Sequence, residues 1–222
     1  MQIPDSNKGI ITISKEKLAT LPAAEYAAGL IVVDSPEKIN PAINELKKAS
    51  VIGFDTETRP SFRKGQTYNV SLIQLSTPEC AYLFRTNKIG FPEELFKILE
   101  DPNIFKVGVS IHDDFHNLSK IRPLEPKGFV ELQDFVKGFR IADNSLSRIY
   151  GILFGKRISK GQRLTNWEAD TLNEFQRAYA ALDAWACIKI YQYLKEGNFN
   201  PFTSPYLTFP VSENEDSENK VE

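Results

Sequence analysis

The sequence contains little cysteine and no long apolar run. Among its 222 residues are two cysteines, Cys80 and Cys187, which lie far apart and form no C-x-x-C pair. This spacing argues against a disulfide framework or a cysteine-based metal site, and predicts two small buried residues. No stretch approaches the ~20 apolar residues of a membrane span, and no basic start precedes an apolar segment at the N-terminus. These absences predict a soluble, cytoplasmic protein without a membrane-spanning segment.

A strong net charge is also absent, although charge is unevenly distributed. The formal net charge is -2, and the last eleven residues, SENEDSENKVE, carry five acids against one lysine. Removing this tail, whose net charge is -4, leaves the remaining 211 residues at +2. Two basic stretches stand out in that part, RPSFRK at 59–64 and KRISKGQR at 156–163. They are either solvated surface loops or patches that attract an anionic partner.

Length and composition predict one folded domain. The chain is 41% hydrophobic and 25% charged, as soluble domains are. Strand patterns such as GLIVVD, NVSLIQLS and CAYLFR alternate with amphipathic helical patterns, and the second half is mostly helical. This order predicts an α/β fold with a mixed sheet flanked by helices. The predicted boundaries are a surface extension over 1–27, the domain over 28–197 and a flexible acidic tail over 198–222.

Two acids follow a predicted buried strand in VIGFDTETRP, residues 51–60. Because successive side chains of a strand alternate between faces, Asp55 and Glu57 share one face, about 6.6 Å apart along the strand. Two carboxylates at that spacing can reach a pair of metal ions. Acids at the end of a strand also often face water. The D-x-E triplet alone therefore leaves both a metal site and a solvated strand end open.

A third acid lies within the apolar face of a predicted helix. Residues from about 171 to 195 show helical periodicity, and Asp183 shares a face with Tyr179 and Ile190. An ionised carboxylate is costly to bury without a positive partner. A basic side chain from another element and a metal ion are the two partners that would stabilise Asp183.

Two adjacent acids begin another predicted helix, in VGVSIHDDFHNL. Asp113 and Asp114 lie in its first turn, where acids interact favourably with the helix dipole. Capping accounts for one acid rather than two. His112 and His116 have the i, i+4 spacing of a zinc-binding pair, but no third ligand accompanies them at a suitable spacing, so a histidine-based zinc site is not expected.

Taken together, four segments resemble the successive motifs of the DEDD 3'-5' exonucleases, in the branch that contains ribonuclease D and the Werner-syndrome exonuclease domain. The segments are FDTET, NVSLIQLS, VGVSIHDDFHNL and TNWEADTLNEFQRAYAALDAWACIKIY, in the family's order over about 30–195. The Y-x-x-x-D pattern of Tyr179 and Asp183 is that of the tyrosine-bearing (DEDDy) subgroup. The resemblance implies a single ribonuclease H-like α/β domain and two divalent metal ions, Mg²⁺ or Mn²⁺.

The resemblance also implies roles for individual residues. The implied metal ligands are four carboxylates, and Asp114 is preferred over Asp113 because it aligns with the family pattern in GVSIHDD. The implied reaction is stepwise hydrolysis from a 3' end, which releases nucleoside 5'-monophosphates. The implied catalytic residues are the four ligands and a tyrosine that orients the attacking water: Asp55, Glu57, Asp114, Asp183 and Tyr179.

The basic stretches then have an implied role in holding the nucleic-acid backbone. An aromatic side chain, Phe62, could stack on a base near the scissile bond. Relatives carry further nucleic-acid-binding or helicase domains, so affinity is expected to come from the single domain, from an oligomer, or from a helicase or other nucleic-acid-processing partner. No residue separates DNA from RNA substrates. The predicted substrate-binding residues are Arg59, Phe62, Arg63, Lys64, Lys156, Arg157, Lys160 and Arg163.

Two other functions stay open on the sequence. A catalytically silent module could bind nucleic-acid ends or a helicase partner, although such a module gains nothing from four clustered acids. Aspartate-nucleophile phosphatases open with hhhhDxDxT, where h is hydrophobic, and GFDTET comes close to that pattern. Glu57 stands where the second aspartate of that motif acts as general acid, which makes the phosphatase the weaker alternative.

Overall fold

Strands and helices alternate along residues 9–209, the part of the chain that the computed structural model describes. The strands are β1 (Ile10–Ile11), β2 (Gly29–Val33), β3 (Val51–Thr58), β4 (Val70–Ser76), β5 (Cys80–Phe84), β6 (Phe105–Gly108), β7 (Phe129–Glu131) and β8 (Leu207–Thr208). The α-helices are α1 (Lys15–Thr20), α2 (Ile39–Leu46), α3 (Thr86–Ile89), α4 (Glu93–Leu99), α5 (Ile111–Ser119), α6 (Leu132–Phe135), α7 (Leu146–Phe154) and α8 (Glu174–Lys195). Short 3-10 helices lie at Pro36–Lys38, Val136–Phe139 and Pro201–Thr203.

Six of the strands form one mixed sheet in the order β2-β5-β4-β3-β6-β7. β4 pairs antiparallel with both of its neighbours, β3 and β5. The pairs β2 with β5, β3 with β6, and β6 with β7 are parallel. The predicted α/β fold with a mixed sheet flanked by helices is confirmed. β3, which carries the D-x-E triplet, lies inside the sheet rather than at an edge.

The two faces of the sheet pack against different helices, and β3 contributes to both. Ile52 and Phe54 pack on the face that is covered by α2, α4 and α5. The opposite face is covered by α8, which packs across β3, β4, β5 and β6. Because strand side chains alternate, the residues between and after Ile52 and Phe54 point to the α8 face. Asp55 therefore lies under the long helix.

α8 approaches β3 closely because both elements present small residues there. A Cβ atom on Gly53 would overlap the carbonyl oxygen of Ala184 and lie 2.7 Å from its carbonyl carbon. On the helix, Ala180, Ala181 and Ala184 are fully buried against the sheet. The glycine allows a contact between backbone atoms that any larger residue would prevent.

The segment before β2 packs more deeply than the sequence predicts. Residues 9–27 fall within the predicted surface extension, yet Ile11 and Ile13 are 0% and 1% exposed. They pack in a core that also includes Ile149 of α7 and Ile190 of α8. Two apolar side chains in a short extended segment are enough to anchor it, and no periodic pattern in the sequence marks them.

Residues 198–209 also differ from the prediction, which places them in a flexible tail. β8 pairs antiparallel with β1, with Leu207 opposite Ile11. Tyr206 and Leu207 pack against the same core as β1, and this apolar contact is the reason that the segment is folded. The acidic part of the predicted tail, 210–222, lies outside the described residues, as do residues 1–8. The domain boundaries at 28 and 197 stay predictions.

The two cysteines differ in how deeply they are buried. Cys187 is buried and Cys80 is half-buried, and both are free. None of the helices within residues 9–209 is long and apolar enough to cross a membrane.

Candidate active site

β3 ends with two acids on the face that α8 covers. Asp55 and Glu57 are two residues apart on the strand, and Asp55 lies opposite Gln74 of β4. The pairing register shifts between Glu57 and Thr58, an irregularity that often lies beside active sites. Both carboxylates therefore sit where the regular part of the strand ends.

α8 supplies the next acid and the tyrosine. The helix begins with a capping box, in which the Asn173 and Gln176 side chains each accept a hydrogen bond from the backbone N–H of the other residue. Gln176 also donates to the Thr165 hydroxyl, 3.0 Å away, which attaches the preceding loop to the helix. The fixed helix start places Tyr179 and Asp183, one and two turns further on, above the end of β3.

Three carboxylates converge in one cavity. Ligand oxygens of Asp55, Glu57 and Asp183 all lie within 4.8 Å of one another. The cavity has a volume of about 600 Å³, and Asp114 and Tyr179 also line it. The five residues that the sequence predicts as catalytic are therefore brought together by β3, α5 and α8.

Asp114 reaches this cavity from the first turn of α5. Ser110, just before the helix, has a left-handed backbone with φ 61°, and Glu131 accepts a hydrogen bond from the Ile111 N–H at 3.0 Å. The Thr56 hydroxyl donates to Asp114. Asp113 also lines the cavity, but it is exposed. The hydrogen bond favours Asp114 over Asp113 as the candidate metal ligand. Asp114 lies beside the group formed by Asp55, Glu57 and Asp183 and is not part of it.

Burial raises the pKa values of the two acids deepest in the cavity, Asp55 and Asp183. Burial raises the pKa of Asp183 to about 7, against the lowering effects of the Tyr179 hydroxyl and the Lys160 charge. The pKa of Asp55 is raised first by burial and then by the charge of Asp183. The charge of Asp183 therefore opposes the ionisation of Asp55.

The remaining two acids are perturbed in the same direction. Burial, followed by the charges of Asp55 and Asp183, raises the pKa of Glu57 to about 10. Burial, followed by the charge of Asp55, raises the pKa of Asp114 to about 8. Four neighbouring carboxyl groups that resist ionisation together form a site that a bound cation would stabilise.

The donor set fits a divalent metal ion. Within residues 9–209, no lysine or arginine forms an ion pair with any of the four acids. Carboxylate oxygens are the ligands that Mg²⁺ and Mn²⁺ prefer. Asp55, Glu57 and Asp183 can therefore hold a metal ion, which would replace their mutual repulsion by attraction.

Comparison with protein families gives a match across most of the chain. The sequence model described as 3'-5' exonuclease matches residues 30–197. The chain belongs to the 3'-5' exonuclease family. The resemblance that the motifs indicate is confirmed.

Two relatives are longer than the region that they share with this exonuclease domain. The chain is 34% identical over 175 residues to the mouse bifunctional 3'-5' exonuclease/ATP-dependent helicase WRN, and the matched region covers 76% of this chain and 12% of the mouse protein. It is 31% identical over 154 residues to a 3'-5' exonuclease of Arabidopsis thaliana, which covers 65% of this chain and 52% of that protein. The chain spans about half or less of these relatives.

Solved structures share the fold. The EXO domain of Aedes aegypti Nibbler superposes with a TM-score of 0.71 at 23% identity, covering 81% of this chain and 96% of that domain. Escherichia coli RNase D gives a TM-score of 0.67 at 22% identity, covering 76% of this chain and 44% of that protein. The chain therefore shares its overall fold with these two solved structures.

The predicted substrate-binding residues of the exonuclease domain are divided among three locations. Lys160 and Arg163 line the cavity of the acids. Three others line a second cavity of about 510 Å³ beyond the end of β3: Arg59, Phe62 and Arg63. Lys64, Lys156 and Arg157 line neither of these two cavities. All eight roles stay predictions.

Arg59 and Phe62 differ in how they are held. The Arg59 guanidinium pairs with Glu168 at 3.2 Å and lies 4.9 Å from the ring centre of Tyr68. Phe62 is 81% exposed. An arginine already paired with an acid is a weaker anion site than the sequence alone suggests, whereas an exposed aromatic ring remains available for stacking.

Several residues at this site have no signal in the sequence. Gln133 donates hydrogen bonds to the Ser110 hydroxyl at 3.0 Å and to the Asn144 carbonyl at 2.9 Å, and all three residues line the cavity. Glu131 holds the start of α5. These residues are uncharged or lie in ordinary strand and turn patterns, so only the folded arrangement identifies them.

The metal-free exonuclease domain is expected to lose stability as the pH rises. Asp183 has a folded-state pKa of about 7 against an ordinary value of 3.8. Below pH 4 the group is protonated in both states. Between these values the folded protein retains a proton that the unfolded chain has released, so the free energy of unfolding falls as the pH rises and the loss is complete above pH 7. Glu57, with a pKa of about 10, continues the trend to higher pH.

Chemical denaturation in EDTA at pH 5 and pH 8 measures this effect, and we expect the lower free energy of unfolding at pH 8. Addition of Mn²⁺ at pH 8 should restore stability, because an ion that binds only the folded state shifts the equilibrium toward it. Equal stability at both pH values, with no response to Mn²⁺, would contradict the prediction.

Proposed function

We propose that this chain is a metal-dependent 3'-5' exonuclease that hydrolyses terminal phosphodiesters of nucleic acid and releases nucleoside 5'-monophosphates. The observation that carries the proposal is the group of Asp55, Glu57 and Asp183, with oxygens within 4.8 Å in one cavity. Family membership over residues 30–197 supports the reaction class. Asp114 and Tyr179 line the same cavity, in the arrangement that the motifs imply.

Two divalent ions, Mg²⁺ or Mn²⁺, are the proposed cofactors. Asp55, Glu57 and Asp183 would hold them, with Asp114 as the fourth ligand. Such ions, when bound, neutralise phosphate charge and generate a hydrolytic nucleophile from water at neutral pH. The support for this assignment is the convergence of three carboxylates within 4.8 Å, together with burial that raises the pKa of each of the four acids.

Tyr179, Lys160 and Arg163 also line the cavity of the acids, and each has a proposed role. Burial, and then the charge of Asp183, raises the pKa of the Tyr179 phenol above its ordinary value. Tyr179 therefore stays protonated at neutral pH, and its hydroxyl can donate a hydrogen bond that orients the attacking water. Lys160 and Arg163 offer positive charge at the cavity wall, where phosphate oxygens of the substrate would lie.

The proposed substrate is nucleic acid with a free 3' end. Trypanosoma brucei RNase D, which shares the fold at 22% identity, was solved in complex with RNA U12, while the mouse relative is both an exonuclease and a helicase by name. Both DNA and RNA therefore stay candidates. A helicase or another nucleic-acid-processing protein is a proposed partner, supported by the mouse relative alone, and a cytoplasmic location stays a prediction.

An exonuclease assay tests the proposed function. A 3'-recessed DNA duplex and a single-stranded RNA, both 5'-labelled, would be incubated with Mg²⁺ or Mn²⁺, and with EDTA as control. We expect stepwise shortening with either ion, none in EDTA, and nucleoside 5'-monophosphates as products. If no substrate is shortened with any ion, the proposal is wrong. Tight binding to 3' ends without turnover would instead favour the end-binding module.

Lys160→Ala is expected to raise KM for the substrate about 5- to 10-fold and to leave kcat less affected, because the lysine contributes a phosphate contact rather than a metal ligand. The difference from wild type should shrink as salt is added. Steady-state kinetics at two ionic strengths measure both effects. Lys97→Ala, an exposed lysine of α4 on the other face of the sheet, is the matched control. A KM for Lys160→Ala equal to that of this control would contradict the role.

A further inference from the structure

Gln74, in β4, has a buried side-chain amide without a partner. The residue is 0% exposed, and within the described part of the chain neither its Nε2 nor its Oε1 atom makes a hydrogen bond. Buried amides in proteins are almost always paired, because desolvation without a partner is unfavourable. Gln74 is neither a proposed metal ligand nor a proposed phosphate contact.

The strand register shows which side chains surround the amide. Leu72, two residues earlier in β4, packs with Ala181 of α8, so Gln74 also faces α8. Gln74 has Leu83 of β5 opposite it on one side. On its other side it has Asp55 of β3 opposite it. The helix and one strand thus offer apolar neighbours, and Asp55 is the polar side chain directly across from the amide.

We propose that Gln74 is a positioning residue for Asp55, whose carboxylate accepts a hydrogen bond from the Gln74 amide when it binds a metal ion. Residues opposite each other on neighbouring antiparallel strands have Cβ atoms about 4.5–5.5 Å apart, which a glutamine amide can span. Outer hydrogen-bond donors of this kind orient metal-binding carboxylates and are needed for full metal affinity. This inference rests on the proposed function, because it assigns a supporting partner to one of the proposed ligands.

The chemical nature of the side chain fits this task. A lysine or arginine opposite Asp55 would neutralise the carboxylate and compete with the metal ion, whereas an acid would add a further negative charge to the cavity. A neutral donor on a buried strand holds one carboxylate oxygen in place and leaves the negative charge available to the ion. Gln74 itself is 0% exposed, so water does not compete for the amide.

Mn²⁺ titration of the full chain by calorimetry tests the inference. In Gln74→Leu, an apolar group of similar size replaces the unpaired amide, so the metal-free melting temperature should equal or exceed that of wild type. Its Kd for Mn²⁺ should be about 10- to 100-fold weaker. Gln192→Leu, at a half-buried glutamine near the end of α8, is the matched control and should bind Mn²⁺ within twofold of wild type.

The outcomes separate this inference from the function on which it rests. If wild type binds Mn²⁺ and Gln74→Leu binds it within twofold, the positioning role is wrong while the metal site stands. If wild type binds no Mn²⁺, the proposed metal-dependent function is wrong and the inference falls with it. Should Gln74→Leu fail to fold, Gln74→Met, which keeps an unbranched side chain, is measured in the same way and judged by the same limits.

Discussion

Asp183→Asn is expected to lower the exonuclease rate by about 10³-fold or more and, at the same time, to make the metal-free protein more stable. The carboxylate is one of three whose oxygens lie within 4.8 Å, so the amide removes a metal ligand, and the loss of several kcal/mol of transition-state stabilisation corresponds to such a factor. In the absence of metal, burial of the same carboxylate raises its pKa to about 7. Replacing it with a neutral group of similar shape removes the cost of burying the ionised carboxylate, a gain of up to about 4 kcal/mol at pH 8.

Two measurements on one variant check this prediction. Single-turnover assays with Mn²⁺ give the rate, and thermal unfolding in EDTA at pH 8 gives the stability, for which we expect a rise of several degrees. Asp134→Asn is the control, because Asp134 is exposed and pairs with Lys137 on α6 and the turn that follows it. If the variant keeps its activity, Asp183 is not a metal ligand. If it melts below wild type in EDTA, the carboxylate stabilises the fold, contrary to the prediction.

Gly53→Ala is expected to destabilise the protein by about 3 kcal/mol and to abolish most of its activity. The added Cβ atom would overlap the carbonyl oxygen of Ala184, and a backbone atom within a helix cannot move alone. α8 would have to shift away from β3, and overpacking of a well-packed core typically costs 1–3 kcal/mol or somewhat more. Since Asp183 is adjacent to Ala184, the same shift would separate it from Asp55 and weaken the metal site.

Urea denaturation and Mn²⁺-dependent activity test the two effects together. Gly138→Ala is the matched control, because a Cβ atom at Gly138 meets no atom within 4 Å, and its stability should stay within about 0.5 kcal/mol of wild type. Gly53→Ala with a wild-type denaturation midpoint and full activity would mean that α8 can retreat without consequence, contrary to the close contact in this structure.

Much of the fold could be predicted because the relevant signals are local. The alternation through β3 and the helical periodicity through α8 are properties of short windows, and the structure places them at Val51–Thr58 and Glu174–Lys195. The start of α8 was predicted about three residues early, at 171, because the capping box of Asn173 and Gln176 decides it. The pairing of β1 with β8 was not predictable, since it joins two-residue strands almost two hundred positions apart.

Some residues of the candidate site could be identified from local sequence patterns, and others only from the folded structure. Asp183 could be identified because a carboxylate within an apolar helix face needs an explanation, whatever the fold. The preference for Asp114 over Asp113 comes from the family pattern in GVSIHDD, because both acids lie in the first turn of α5 and the helix alone does not separate them. The Thr56 hydrogen bond favours Asp114 only after β3 and α5 are packed together. Gln74 was likewise invisible, because its isolation depends on the register of three strands.

The position of α8 in the chain has a consequence for synthesis on the ribosome. The six strands of the main sheet are complete by residue 131, whereas the helix that covers one face of the sheet spans Glu174–Lys195. A nascent chain that ends before this helix exposes Leu72 and Leu83 to solvent and lacks both Tyr179 and Asp183. Such an intermediate would need protection from aggregation. It would also be unable to cut nucleic acid until synthesis of the domain is nearly finished.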